Sequence, residues 1–135
     1  MLLIDTHAHL YYDSMYNDLK SVLSEAESHY VKKTICIGTD LDTSLKSIQI
    51  AEKNDNVYAT VGIHPHDSKD VPSDYLLKLE KLALNKKVVA IGEIGIDNYR
   101  NHSPNDIQKK VMIEQMALAY KLNLPIVFHN RDADN

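Results

Sequence analysis

Two histidines one residue apart stand near the amino terminus, in Asp5-Thr6-His7-Ala8-His9-Leu10. Met1-Leu2-Leu3-Ile4 before them is apolar and reads as a buried strand. Side chains alternate between the faces of a strand, so Asp5, His7 and His9 share one face. Two imidazoles at that spacing can reach one cation, and imidazole suits zinc and other first-row divalent metals. Asp5, on the same face, could fix an imidazole tautomer. The alternative is that one or both rings merely pack or hydrogen-bond. Three more groups of chemically capable residues follow: His64 with His66, Glu93 with Asp97, and His129 with Arg131. Glu93 interrupts the apolar run Val88-Val89-Ala90-Ile91-Gly92-Glu93-Ile94, and a carboxylate there is costly to bury unless it meets a cation or a salt-bridge partner. By parity Val89, Ile91, Glu93 and Asp97 share a face, and so do Val127, His129 and Arg131, with Ile126 and Phe128 turned to the helices.

The elements that must position these residues alternate between strand and helix. A helical stripe runs from about Met15 to Tyr30 and a strand from about Lys33 to Gly38. Asp42 or Thr43 is suited to cap a helix reaching about Asn54 that buries Leu45, Ile48 and Ala51. Val57–Gly62 reads as a strand, Ser73 as the cap of a helix over Leu76, Leu77, Leu79, Leu82 and Ala83, and Val88–Ile94 as the next strand. Ser103-Pro104 starts a helix that runs to about Leu122 and buries Val111, Met112, Met116 and Ala119; Pro125–His129 is the last strand. Alternation of this kind implies an α/β fold with a parallel sheet covered by helices. Reactive residues at the carboxyl ends of several different strands point to a (β/α)8 TIM barrel, of which this chain supplies about the first five strands. A doubly wound sheet is the other candidate, but no Gly-rich turn follows the first strand.

The 135 residues form one unit, 44% hydrophobic and 25% charged, with no run of membrane-spanning length and no signal-peptide pattern, so a cytoplasmic protein is expected. Net charge is −4, which excludes a general electrostatic attraction for nucleic acid and requires any such partner to be held locally. The single Cys36 lies in Thr34-Ile35-Cys36-Ile37 and reads as an inert buried thiol.

The chain resembles the TatD-type metal-dependent deoxyribonucleases of the amidohydrolase superfamily. Four motifs carry the resemblance: Asp5-Thr6-His7-Ala8-His9-Leu10, Val61-Gly62-Ile63-His64-Pro65-His66, Ile91-Gly92-Glu93-Ile94-Gly95-Ile96-Asp97, and Leu124-Pro125-Ile126-Val127-Phe128-His129-Asn130-Arg131-Asp132-Ala133. Ser103-Pro104, Gln108, Gln115 to Leu118 and Ala119 add a weaker match. The resemblance implies one or two divalent ions (zinc, manganese or magnesium) among His7, His9, Glu93 and His129, with Glu93 as the bridge and as a catalytic residue. It implies DNA as substrate, single-stranded or at 3′ ends, and exonucleolytic hydrolysis of the phosphodiester. Such cations acidify water and neutralise phosphoryl oxygens. His64 would touch the substrate phosphate or the attacking water. Asp97, Tyr99, Arg100 and Arg131 would contact substrate; an Arg fork suits phosphate, and Tyr11, Tyr12 and Tyr99 could stack on bases.

A complete family barrel is longer, and the family's further metal His and metal-binding Asp lie on strands beyond this sequence. Two expectations follow: apolar inner faces such as Val89, Ile91 and Val127 exposed, with self-association or a further segment covering them, and little activity from this chain alone. The competing functions are a metallohydrolase of small amides, lactones or phosphoesters on the same scaffold, and a non-catalytic half-barrel.

Overall fold

Strand and helix alternate through the chain as periodicity requires. The computed structural model describes residues 1–133. The strands are β1 (Leu3–Ala8), β2 (Val31–Cys36), β3 (Val57–Val61), β4 (Val88–Asp97) and β5 (Ile126–Arg131). The helices are α1 (Asp13–Tyr16), α2 (Leu19–Ser28), α3 (Leu41–Lys53), α4 (Tyr75–Ala83) and α5 (Asn105–Leu122), and a 3-10 turn covers Pro65–Asp70. All five strands are parallel and lie in chain order, β1-β2-β3-β4-β5. Parallel neighbours in chain order, each joined through a helix, form one wall of a barrel. Residues from α2 to α5 pack on the sheet in one cluster, with Leu79, Ala51, Val57, Val61, Ile91 and Ile94 wholly buried.

Several local expectations need correction. The single helix over Met15–Tyr30 is two, α1 and α2, because Asn17 and Asp18, which favour turns, interrupt it. Asp40, not Asp42 or Thr43, caps α3: its carboxylate accepts the Thr43 N–H at 2.7 Å, while the Thr43 hydroxyl accepts the Asp40 N–H at 2.9 Å. Leu45 is exposed, and Ser44 and Ser47 sit on the buried stripe instead. Ser44 belongs there because its Oγ accepts the Gly62 N–H at 3.1 Å. Ser73 does not cap α4; Asp74 occupies the cap position. Ser103 does not cap α5: its hydroxyl donates to the His66 carbonyl at 2.8 Å and accepts the Lys69 N–H at 3.2 Å. Met116 is exposed, and the buried face of α5 carries Gln108 and Gln115 with Val111, Leu118 and Ala119.

The amino-terminal strand is not buried: Leu2, Leu3 and Ile4 are exposed, because β1 is an edge strand. Ile91, expected on an open inner face, is fully buried, and Val89 and Val127 are half-buried. On the sheet, exposed apolar side chains lie instead at the two outer strands, Ile126 and Phe128 in β5 and Leu3 and Ile4 in β1. The middle strands are flanked on both sides; among the described residues the outer ones have a strand neighbour on one side only.

Candidate metal centre

The carboxyl ends of β1, β3, β4 and β5 converge, as a barrel wall requires. Two glycines in β4 permit this. Gly92 has φ +154° and Gly95 φ +151°. A Cβ on Gly92 would lie 2.6 Å from the Val127 carbonyl oxygen, and one on Gly95 would overlap the His129 carbonyl. Only glycine lets β5 approach β4 this closely. The ladder slips register between Ile91 and Ile94, and the Glu93 N–H is donated to the Gly38 carbonyl at 2.8 Å. Regular alternation therefore does not hold through Glu93; the slip turns its carboxylate into the centre.

Glu93 is buried there between two groups of histidines. One of its oxygens lies 3.4 Å from His7 Nε2 and the other 3.0 Å from His129 Nδ1. His7, His9 and Glu93 offer ligand atoms all within 4.8 Å of one another, and so do His64, Glu93 and His129. A cleft of about 380 Å³ opens above them, bordered by His9, Tyr12, His64, His66, Glu93 and Arg100.

The hydrogen-bond network assigns the tautomers. The His66 backbone N–H is donated to His64 Nδ1 at 3.1 Å, so the neutral His64 ring carries its proton on Nε2. That proton is directed at His129 Nδ1, 3.2 Å away, and His129 Nε2 is 3.1 Å from Asp97 Oδ2. His66 Nε2 meets the same Asp97 oxygen at 2.8 Å. This assignment leaves His129 Nδ1, an acceptor, facing a Glu93 oxygen, also an acceptor. A divalent cation would bind both, taking the Nδ1 lone pair in place of the His64 proton, and an imidazole–carboxylate donor set suits zinc or manganese. The residues present therefore fit the implied metal.

Burial, reinforced by His129 and His66, pushes the His64 imidazole down to about 3, so the ring is neutral at physiological pH. Burial and the neighbouring His7 lower His9 as well. Burial alone would raise Asp97, but the Arg100 N–H at 2.7 Å and the two imidazoles outweigh it and hold the carboxyl below its usual range.

The structure brings His7, His9, His64, Glu93 and His129 together. Arg100 borders the cleft, and Arg131 stacks on exposed Tyr99, its guanidinium 4.4 Å from the ring centre. Three side chains lie elsewhere than the sequence suggests. Asp97 is wholly buried, with its carboxylate committed to His66, His129 and the Arg100 N–H, so it has no surface for substrate. Asp5 accepts the His7 backbone N–H at 3.0 Å rather than an imidazole proton. Tyr11 is buried with its hydroxyl 2.9 Å from His9 Nδ1, so it offers no face for a base; Tyr12 is exposed. Sequence reasoning left His66 unassigned, and only its contact with Asp97, distant in sequence, reveals its place. Among the described residues no helix is long and apolar enough to cross a membrane.

The family model for TatD-related DNases matches residues 4–135. An uncharacterized metal-dependent hydrolase of Bacillus subtilis, YabD, is 42% identical over 98% of this chain and 52% of its own length. Deoxyribonuclease Tat-D of Schizosaccharomyces pombe is 37% identical over 88% of this chain and 42% of its own. Among solved structures, the TatD homologue YJJV of Escherichia coli superposes with a TM-score of 0.90 at 30% identity, covering 96% of this chain and 51% of that one. The chain thus spans about half the length of the relatives it matches, and its five parallel strands form a half-barrel of their TIM-barrel type. By the family match, and in agreement with the histidine and Glu93 cluster at its strand ends, the chain belongs to the TatD-related DNase family of metal-dependent hydrolases.

Proposed function

We propose that this chain carries the amino-terminal part of the active centre of a nuclease that hydrolyses DNA phosphodiester bonds from 3′ ends, with one or two divalent ions held by His7, His9, Glu93 and His129. The observation that carries the reading is Glu93, shared by two sets of potential ligands and facing the lone pair of His129 Nδ1. A relative in Cronobacter sakazakii bears the name 3'-5' ssDNA/RNA exonuclease TatD, at 35% identity over 87% of this chain.

When bound, the cations would lower the pKa of water and draw charge from the phosphoryl oxygens. The chain's own groups do the rest. His7 and His9 lie on one side of Glu93 and His129 on the other, so each set with Glu93 could hold a cation. His64, neutral and with its proton on Nε2, would donate that hydrogen bond to a phosphoryl oxygen or to the attacking water once a cation occupies His129 Nδ1, and a fixed donor there favours negative charge building up on that oxygen. Asp97 accepts a hydrogen bond from His129 Nε2–H, which makes Nδ1 the ring nitrogen that would bind a cation, in place of the His64 proton it otherwise accepts. Arg100 and Arg131 supply phosphate forks at the rim, and Tyr99, with Arg131 on one face, has its other face for a base. Because the metals attract the phosphate, the acidic net charge of −4 is no obstacle.

Zinc or manganese titration by calorimetry, beside cleavage of a 3′-labelled single strand with and without chelator, tests the proposal. The chain should take up metal, and Glu93→Ala should abolish uptake at both positions. Cleavage that survives chelator, or metal uptake unchanged in Glu93→Ala, would overturn it. The open outer strands favour one further element of the reading: full activity needs a partner or segment that completes the barrel wall, and this chain alone should cut slowly or not at all.

A further inference from the structure

Helix α5 has no residue among the candidate ligands, yet two side chains on its buried face bind the backbone beside them. Gln115 Oε1 accepts the Ile63 N–H at 2.7 Å, and its Nε2 donates to the Ile63 carbonyl at 3.1 Å. Ile63 is the residue before His64. Gln108 Oε1 accepts the Asp97 N–H at 2.8 Å, and its Nε2 donates to the Asp97 carbonyl at 3.2 Å. Both glutamines are fully buried. Their spacing is about two helical turns, so they project from one face. A carboxamide has the donor–acceptor pair of a peptide group, and each glutamine engages both backbone groups of one residue, as a neighbouring strand residue does in a hydrogen-bonded pair. The β3–β4 ladder ends at Val61, so Ile63 has left it. Gln115 replaces the strand partner that Ile63 lacks. Gln108 likewise braces Asp97 at the last residue of β4 and also donates to the Ser103 carbonyl at 2.7 Å.

Ile63 precedes His64, and His64 and Asp97 are the two ends of one hydrogen-bond chain, His64 Nε2–H to His129 Nδ1 and His129 Nε2–H to Asp97. We infer that Gln115 and Gln108 are positioning residues: they hold the two ends of this chain at the separation that keeps His64 and His129 in single, complementary tautomers. The inference deepens the proposed function and rests on it for the use of that tautomer. Apart from Glu93, which both sets of ligands share, the histidines are then held by different elements: His7 and His9 by β1, and the His64–His129–Asp97 chain through α5. Each glutamine also closes the hydrogen bonding of buried backbone groups, which would otherwise be left unpaired.

The test reads the imidazole nitrogens directly, in the metal-free chain at neutral pH, by long-range proton–nitrogen correlation with signals assigned through single His→Gln variants. In the unmodified chain His64 and His129 should both show the Nε2–H pattern. Gln115→Met should move or average the His64 and His129 signals, and Gln108→Met the His129 and His66 signals, while His7 and His9 stay put. Leu118→Ala, on the same buried face of α5, should lower the melting temperature and move none of the five imidazole signals. If a Met variant does not fold, Gln115→Asn serves, since it keeps the carboxamide but is one methylene too short to reach both backbone groups of Ile63. Zinc titration of the same proteins should show at least a ten-fold weakening at one binding step and less than a two-fold change at the other. Unmoved His64 and His129 signals in the glutamine variants, or equal movement of His7 and His9, would overturn the inference. A chain that shows the expected tautomers and binds no metal would instead defeat the functional reading and leave the positioning role standing.

Discussion

Asp97 has no exposed surface, yet its carboxylate accepts from two imidazoles and a backbone N–H. Those bonds are charge-assisted and close-packed, which is why burial does not leave the acid neutral. An orienting carboxylate of this kind raises the basicity of the ring it holds, and its loss typically costs about 10- to 100-fold in metal affinity. Asp97→Asn keeps the shape but turns one of the two acceptor oxygens into an amide donor, so a single oxygen cannot serve both ring protons and the Arg100 N–H. Zinc affinity should therefore fall by about that factor, with the fold intact by circular dichroism. Unchanged affinity would show that His129 needs no orientation. At this scale the sequence exposed the types and not the partners. Glu93 was conspicuous as a charge in an apolar run, whereas Asp97 looked like one more strand-end acid until the fold set it between His66 and His129.

Strand β4 is the element on which the centre depends. Its Ile91-Gly92-Glu93-Ile94-Gly95 stretch reads as alternating apolar strand, but its two positive-φ glycines and the register slip give it a shape that alternation does not describe. Gly95→Ala would put a methyl group into the His129 carbonyl and add positive-φ strain, together at least ~2 kcal/mol. We expect a lower urea midpoint and loss of metal uptake together, because the displaced backbone is that of a candidate ligand. A variant that keeps its stability and binds metal normally would show that β5 can retreat freely. Helix α5 makes the complementary point. Its apolar count suggested Met116 inward, but the stripe that faces the sheet contains Gln108 and Gln115, chosen for what they hydrogen-bond rather than for hydrophobicity.

Across the whole molecule, acid should be destabilising. Unfolded histidine titrates near 6.5, and His64 in the fold only near 3. Between those values the unfolded chain holds a proton that the native chain lacks, so stability rises with pH. The contribution is complete above pH ~6.5 and is lost as pH falls, at up to ~1.4 kcal/mol per pH unit for one proton. His9 acts in the same sense, and Asp97 joins only below the usual carboxylate range. Urea melts at pH 7.5, 6 and 5 should show a falling midpoint, and His64→Asn should flatten that trend. The outer strands make a second prediction. β1 and β5 each have one strand neighbour, and Leu2, Ile4 and Phe128 are 74%, 58% and 54% exposed. Open parallel edges with apolar side chains invite pairing. Sedimentation at micromolar concentration should show dimers or larger species; a stable monomer across that range would count against it.

Residue order alone determined the alternation of strand and helix, the parallel α/β class and the placing of histidines and acids at strand ends, because periodicity and turn chemistry are local. The four motifs carried the family for the same reason: each is a short contiguous stretch. The role of Ser103 beside α5, the exposure of β1, and the pairing of His66 and His129 on Asp97 were decided only by the tertiary structure. Each depends on what lies across a gap of many residues, and no local pattern encodes it. The two buried glutamines show the difference most clearly: their identities were on view in the sequence, but the backbone groups that make them necessary exist only once β3 and β4 have been laid against α5.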